Sequence, residues 1–477
     1  MTNSSLNYSP SRLQRSKDLP QPTSAGSVSF LAGILLTFLT INSNAFPSEI
    51  ARQASIFLGL GLAVSLWFDS TRGWRNLFRT DLVCLSGLYF FTLFEFLFPQ
   101  ESFNNRLTSA ETVGAIEIIL IGFIGLVIGR HFTLLKPIPK KWLDFSVIPD
   151  QALFRLFLIA AFLGYFYMLW TVNFNILEAM NEMLGPRFSS PWSRGGYGGW
   201  TSLLTELSLF RYAIPPIAGI LWNRRQNFPT WQVVLVFLVL IFCFYEGFTS
   251  GTRNIFASYL AGFLGGYLLT LREVRLWKIL VPLGAAGYAL LFATRHMLAF
   301  REMGLGKYLE FRMYELVQAK ESVFIDHNLW SLGKIVEAFP NIYDFMGWEM
   351  IVVFVTKPIP RVLWSGKPEG LSVEIADVVG ATQMTVSATY IGEAYMLGGV
   401  IAVIIISFVI GATSNWWTRI MTQQISGYGA AVGALGFFVA ALTMRSLAFF
   451  TTNILPIIAL IFFAQVFPSW IGARNKQ

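Results

Sequence analysis

The stretch "PTWQVVLVFLVLIFCFYEG", residues 229–247, contains a single charged side chain, Glu246. A helix rises about 1.5 Å per residue, so a run of this length covers a hydrocarbon core about 30 Å thick. An amphipathic helix on a soluble domain would show a polar face, and this run has none. Similar runs recur along the chain, over 27–45, 53–69, 81–98, 112–129, 152–172, 201–222, 254–271, 279–294, 389–411, 427–444 and 446–466. The first two are the weakest. The whole chain is 54% hydrophobic and 13% charged, with a mean hydropathy of +0.56. Soluble domains carry about 25% charged residues, so the composition excludes that class. The expected fold is all-α: a polytopic helical membrane protein of about twelve transmembrane helices.

Lys and Arg in short loops set the orientation. With the N-terminus cytoplasmic, the cytoplasmic segments hold 18 such residues and the short outer loops hold 6. That asymmetry predicts N-in, C-in topology. The expected organisation is a disordered cytoplasmic tail over 1–25, transmembrane helices one to nine over 26–294, a long periplasmic loop over 295–388, and helices ten to twelve with a short cytoplasmic tail over 389–477. Within the loop, Leu305, Tyr308, Leu309 and Leu316 recur at helical spacing, as do Leu329, Leu332, Val336 and Phe339. Amphipathic helices are expected there.

The loop ends in "KPIPRVLWSGKPEGLS", residues 357–372. Its prolines forbid a continuous helix, and Lys357, Arg361 and Lys367 surround Trp364. Other outer cations also stand at membrane boundaries: Arg253, Arg295, Arg301 and Arg445. An arginine at a helix end ordinarily reaches for lipid headgroups. Several from separate segments on one rim point further, because the guanidinium fork suits bidentate contact with phosphate oxygens. Arg211 lies deep in the sixth run, with Glu206 and Glu246 as candidate partners. Ion pairing and glycan contact are both open to it. Glu393, inside "SATYIGEAYMLGG" (387–399), is an intramembrane carboxylate and a candidate general base. Asp326 and His327 form the rival pair. Trp364, Trp200 and Tyr197 offer flat faces for sugar rings, although membrane interfaces enrich these residues anyway.

Absent motifs narrow the chemistry. No Asp-x-Asp, GxxxxGK[ST] or HExxH occurs, and the three histidines make a poor metal site. Cys84 and Cys243 sit in separate apolar runs, so no disulfide framework follows. Neither a metal, a cofactor nor a nucleic-acid partner is expected.

"SGTRNIFASYLAGF" (250–263), the long loop ending "PIPRVLWSGKPEGLS", and "SATYIGEAYMLGG" together resemble the oligosaccharide repeat-unit polymerases, the O-antigen polymerase family. The resemblance implies a bacterial inner-membrane glycosyltransferase that joins undecaprenyl-diphosphate-linked oligosaccharides on the periplasmic face. It also implies contact with membrane lipids, and a chain-length regulator and a flippase as partners. Arg253 and Arg361 stand in the matching motifs and would hold the diphosphate. Arg295, Arg301, Arg445 and Lys367 are added by position. Two other classes fit parts of the pattern: a ligase moving finished glycan to another acceptor, and a flippase or transporter of lipid-linked glycan.

Overall fold

The computed structural model of the protein describes residues 19–136, 143, 145, 148–187, 189–194, 201–271, 275–318, 323–359, 361, 363–381, 386–423 and 426–466. Among them all regular structure is helical. The helices are α1 (Ser24–Thr40), α2 (Pro47–Ser70), α3 (Thr80–Thr92), α4 (Ser109–Gly129), α5 (Asp150–Thr171), α6 (Ile176–Glu182), α7 (Thr201–Glu206), α8 (Ile214–Asn223), α9 (Thr230–Thr249), α10 (Arg253–Leu269) and α11 (Leu276–Met303). They continue with α12 (Leu305–Glu310), α13 (Met313–Gln318), α14 (Asn328–Ala338), α15 (Trp348–Thr356), α16 (Ile375–Val379), α17 (Thr389–Met421), α18 (Gly427–Arg445), α19 (Ala448–Asn453) and α20 (Leu455–Val466).

Among the described residues, eight helical segments are long and apolar enough to cross a membrane: α2, α4, α5, α9, α11, α17, α18, and α19 with α20. The protein is therefore a helical membrane protein, and the other four expected runs form shorter or interrupted helices for local reasons. The run 81–98 stops as a helix at Thr92, where the chain tightens into a 3₁₀ turn over Phe94–Leu97. The run 201–222 is interrupted by a 3₁₀ stretch, Leu207–Ala213, because Pro215 and Pro216 are tolerated only in the first turn of a new helix. The helices α1 and α10 hold 17 residues each. In the other direction, α11 runs past the expected boundary at 294 to Met303, so the long connection begins at Gly304.

Two apolar cores share α18. One gathers α1 to α4 with α14 and α17, and the other gathers α5, α8, α9, α10 and α20. Of the apolar stretch of α18, 94% is buried within the protein, against 11% for α11, so α18 is the central post and α11 an outer one. Small residues let α17 approach α4 closely. A Cβ on Gly129 would sit 2.3 Å from the Phe408 carbonyl oxygen, and one on Gly411 would sit 2.6 Å from that of Leu126. About a third of the way along, α17 breaks at Gly398 and Gly399. The break frees the carbonyls of Met396 and Leu397, which accept the backbone N–H groups of Met346 (2.9 Å) and Gly347 (3.0 Å) from the long connection.

Arg79 and Arg130, two of the 18 cations counted to the cytoplasmic segments, are fully buried with Asp69 and Asp81. Arg79 donates to Asp69 at 2.7 Å and to Asp81 at 3.0 Å, and Arg130 stands 3.6 Å from Asp69. This four-charge cluster ties α2, α3 and α4 near the C-terminal end of α17, where the Thr80 N–H donates to Thr418 at 2.9 Å. Buried charges persist only when paired in this way.

Candidate functional site

At the other end of α17, several segments distant in sequence are locked together by two glycines. Gly251 closes the α9–α10 turn with φ +61°, and a Cβ there would lie 3.1 Å from the Arg301 Cα. Gly304 ends α11 with φ +87°, and a Cβ there would meet the Leu184 carbonyl at 2.6 Å. Only glycine meets both demands without strain. The Arg187 N–H then donates to the Arg301 carbonyl at 3.1 Å, and that of Gly306 to the Leu184 carbonyl at 3.0 Å. The chain from Val323 to Asn328 is pinned over this assembly. Gln100 donates to the Val323 carbonyl and Arg253 to that of Phe324. The buried Glu95 accepts the Ile325 N–H at 2.7 Å, and Asn328 donates to the Phe91 carbonyl at 2.9 Å.

The result is a cavity of about 820 Å³, lined by Arg187, Arg253, Arg301, Arg445, Asp326 and Glu206, among others. Such a volume suits a small polar ligand. Asp326 accepts from Arg445 Nε at 3.0 Å, and the Asn254 amide, with its oxygen turned to the guanidinium, accepts from Nε and, at 3.3 Å, from Nη1, which leaves three Nη hydrogens for other partners. The backbone fixes Arg445 too, since its carbonyl accepts from Ser387 Oγ at 2.8 Å. Burial, with Arg301 and Arg445 nearby, holds the Arg187 guanidinium down at about 10. Mutual repulsion of this kind is relieved by a bound anion.

A second cavity, of about 670 Å³, lies beside the first and is lined by Lys357, Arg361, Lys367, Glu393 and Ser446. Phe449 lines both cavities, with Lys357 Nζ 5.2 Å from its ring centre and the Arg445 guanidinium carbon 5.8 Å away. Burial pushes the Lys357 ammonium down, against the pull of Glu393 and Glu206.

The sequence-derived residues therefore separate. Arg253, Arg301 and Arg445 share the first cavity with Asp326 and His327. Arg361 and Lys367 line the second. Arg361 is exposed and stands 3.7 Å from Glu369, while the Lys367 ammonium donates to the carbonyls of Lys357 (2.7 Å) and Ile359 (2.9 Å), closing the proline-broken loop. Arg295 is exposed on α11, about 120° around the helix from Arg301, and lines neither cavity. Arg211 lines neither as well: it donates to Glu246 at 2.7 Å, and Tyr259 donates to the same carboxylate at 2.9 Å. Of the two roles open to Arg211, the geometry shows the ion pair. Trp364 is exposed over Gly366, and Trp200 and Tyr197 lie outside the described residues.

The proposed bases are each engaged. Glu393 is buried, and its carboxylate accepts from Ser446 Oγ, the Leu447 N–H and the Ala448 N–H, capping the turn between α18 and α19. Asp326 accepts from Arg445 and, through its other oxygen, from the His327 N–H at 2.9 Å, so it does not orient the imidazole. His327 Nδ1 pairs with Arg106 Nη1 at 3.2 Å, which makes Nδ1 the acceptor and puts the ring hydrogen on Nε2. Burial, then the Arg106 charge, push the imidazole down to about 4.

Sequence reasoning missed Arg187, Lys357 and Glu206 as site groups. Arg187 follows a Gly185–Pro186 turn, which is the only local sign that its position is fixed.

A multi-pass helical membrane protein with a cationic cavity at one end of its bundle is the class that fold and site define. A family model described as a domain of unknown function (DUF8712) matches residues 331–469, a stretch that includes α17, α18 and Arg445. No curated protein and no solved structure matches the chain.

Proposed function

We propose that the protein is a glycosyltransferase of the outer membrane face, joining polyprenyl-diphosphate-linked oligosaccharides into a surface or exopolysaccharide without a metal. The observation that carries this reading is the meeting of Arg187, Arg253, Arg301 and Arg445, from four separate segments, in one cavity. Four guanidinium groups against the acids of that cavity leave a site that favours a compact polyanion. The excess of Lys and Arg at the opposite end supports an outward-facing cavity in a bacterial inner membrane, with the N- and C-termini inside. The long connection packed over the cavity, and the resemblance to repeat-unit polymerases, support a lipid-linked glycan as the ligand.

In this mechanism an acceptor sugar hydroxyl attacks the anomeric carbon of the donor. The bond from that carbon to the lipid diphosphate breaks, and its electron pair stays on the departing phosphate oxygen. Arg445 and Arg253 hold that developing charge; one oxyanion donor is worth about 2.7–4 kcal/mol in acyl-transfer sites. Asp326 positions Arg445, and Glu393 positions the turn that follows it.

The test is complementation of a strain lacking the protein. Arg253→Ala and Arg445→Ala, present at wild-type abundance, are expected to leave single lipid-linked repeat units and no ladder. A full-length ladder from either variant overturns the reading, and accumulation of carrier-bound polymer identifies a ligase instead.

A further inference from the structure

Glycosyl transfer from a lipid diphosphate releases one proton from the attacking hydroxyl, and a group in the site must take it. Glu393 caps a turn with both oxygens, Asp326 is held by Arg445 and a backbone N–H, and the Nδ1 of His327 is turned to Arg106. Each of the three is already engaged by donors of the protein. Glu206 is not. It is the last residue of α7, where the backbone tightens into the 3₁₀ stretch that carries Leu209 and Tyr212 along the same cavity wall. Arg211, which is five residues on, pairs with Glu246 and so leaves Glu206 unclaimed. With the described residues Glu206 makes neither a hydrogen bond nor an ion pair, and it is exposed to the cavity. The charges acting on it are Lys367 and Lys357, which line the second cavity, so Glu206 stands where the two cavities adjoin. Glu302 also lines the first cavity, but it sits on the outer helix α11 with its charge beside that of Arg301.

We propose that Glu206 is the catalytic base that takes the proton of the acceptor sugar hydroxyl. This rests on the glycosyltransferase reading above. In the step, the hydroxyl oxygen forms its bond to the anomeric carbon while its proton passes to the Glu206 carboxylate. The carbon–oxygen bond to the diphosphate breaks, and the arginines hold the leaving group. The acceptor enters through the second cavity and meets the donor headgroup in the first. The Glu206 proton then returns to solvent.

The experiment uses the full-length protein in lipid nanodiscs with a defined undecaprenyl-diphosphate oligosaccharide. Glu206→Gln is expected to lower the initial rate of dimer formation at least about 100-fold, the scale of a general base. Affinity for the substrate should stay within about twofold of wild type. Glu206→Asp should recover part of the rate, and the acidic limb of the wild-type rate–pH profile should vanish from the residual Glu206→Gln activity. A smaller rate loss, an equal loss of affinity, or an unchanged acidic limb refutes the assignment while leaving the transferase reading intact. Failure of the wild-type protein to form any multimer brings both down.

Discussion

Arg445→Ala removes the guanidinium that Asp326 aims at the first cavity. Of its five N–H donors, the one on Nε goes to Asp326 at 3.0 Å and one on Nη1 to the Asn254 amide oxygen at 3.3 Å, which leaves three on the two Nη groups. A hydrogen bond to a charged partner is worth about 1.5–3 kcal/mol, so two contacts to a diphosphate contribute roughly 3–6 kcal/mol. The side chain is only 16% exposed, which limits screening by solvent. Even the lower figure corresponds to a loss of at least about 100-fold in kcat/KM. Asp326→Asn keeps an oxygen that can accept from Nε and loses the charge, roughly halving that bond. Its expected cost is about 1 kcal/mol, or roughly fivefold in rate. The assay is the initial rate of oligomer formation in nanodiscs, normalised to folded protein. Arg445→Ala retaining activity within tenfold of wild type refutes the anion-binding role. Asp326→Asn falling as far as Arg445→Ala refutes the positioning role and gives Asp326 direct chemistry.

Three further outcomes follow from the geometry. Gly251→Val forces a β-branched residue to φ +61° and presses on Arg301, so it should cost about 1–3 kcal/mol and lower the Tm by several degrees; an unchanged Tm contradicts the packing. Glu393→Ala leaves the donors of Ser446, Leu447 and Ala448 unpaired and should destabilise the protein by roughly 2–3 kcal/mol, with Glu393→Gln much milder; equal melting of the two variants would argue against the capping role. His327 titrates near 4 in the fold and ordinarily near 6.5, so between these values the unfolded chain binds the extra proton. Its contribution to stability is complete above about pH 6.5 and falls away as pH drops toward 4. His327→Phe should flatten the Tm–pH slope in that window, and superimposable slopes would disprove the burial effect.

Much of the architecture is written in local composition. An uninterrupted apolar run such as 229–247 has one physical solution, and α9 adopts it. The helices depart from the apolar runs where a run carries a backbone breaker or where a helix outlasts its apolar stretch. Pro215 and Pro216 split one expected span, and α11 continues through Arg295 and Arg301 because its C-terminal turns pack on the 184–187 turn. The site was half legible. Arg253 and Arg445 announce themselves by standing at boundaries in an apolar chain. Whether they meet depends on contacts such as Arg445 with Asp326, 119 residues apart, which no local pattern encodes. The same gap hid Arg187 and Lys357, and it disguised as loop charges Arg79 and Arg130, which meet at Asp69 on α2.

The most direct measurement is reconstitution of the purified chain with one defined undecaprenyl-diphosphate oligosaccharide, without added metal or nucleotide, and separation of the products by size. The account predicts a ladder of repeat multiples that disappears when Arg253 and Arg445 are replaced together. A wild-type reaction that returns only the starting unit, or a double variant that still builds the ladder, contradicts it.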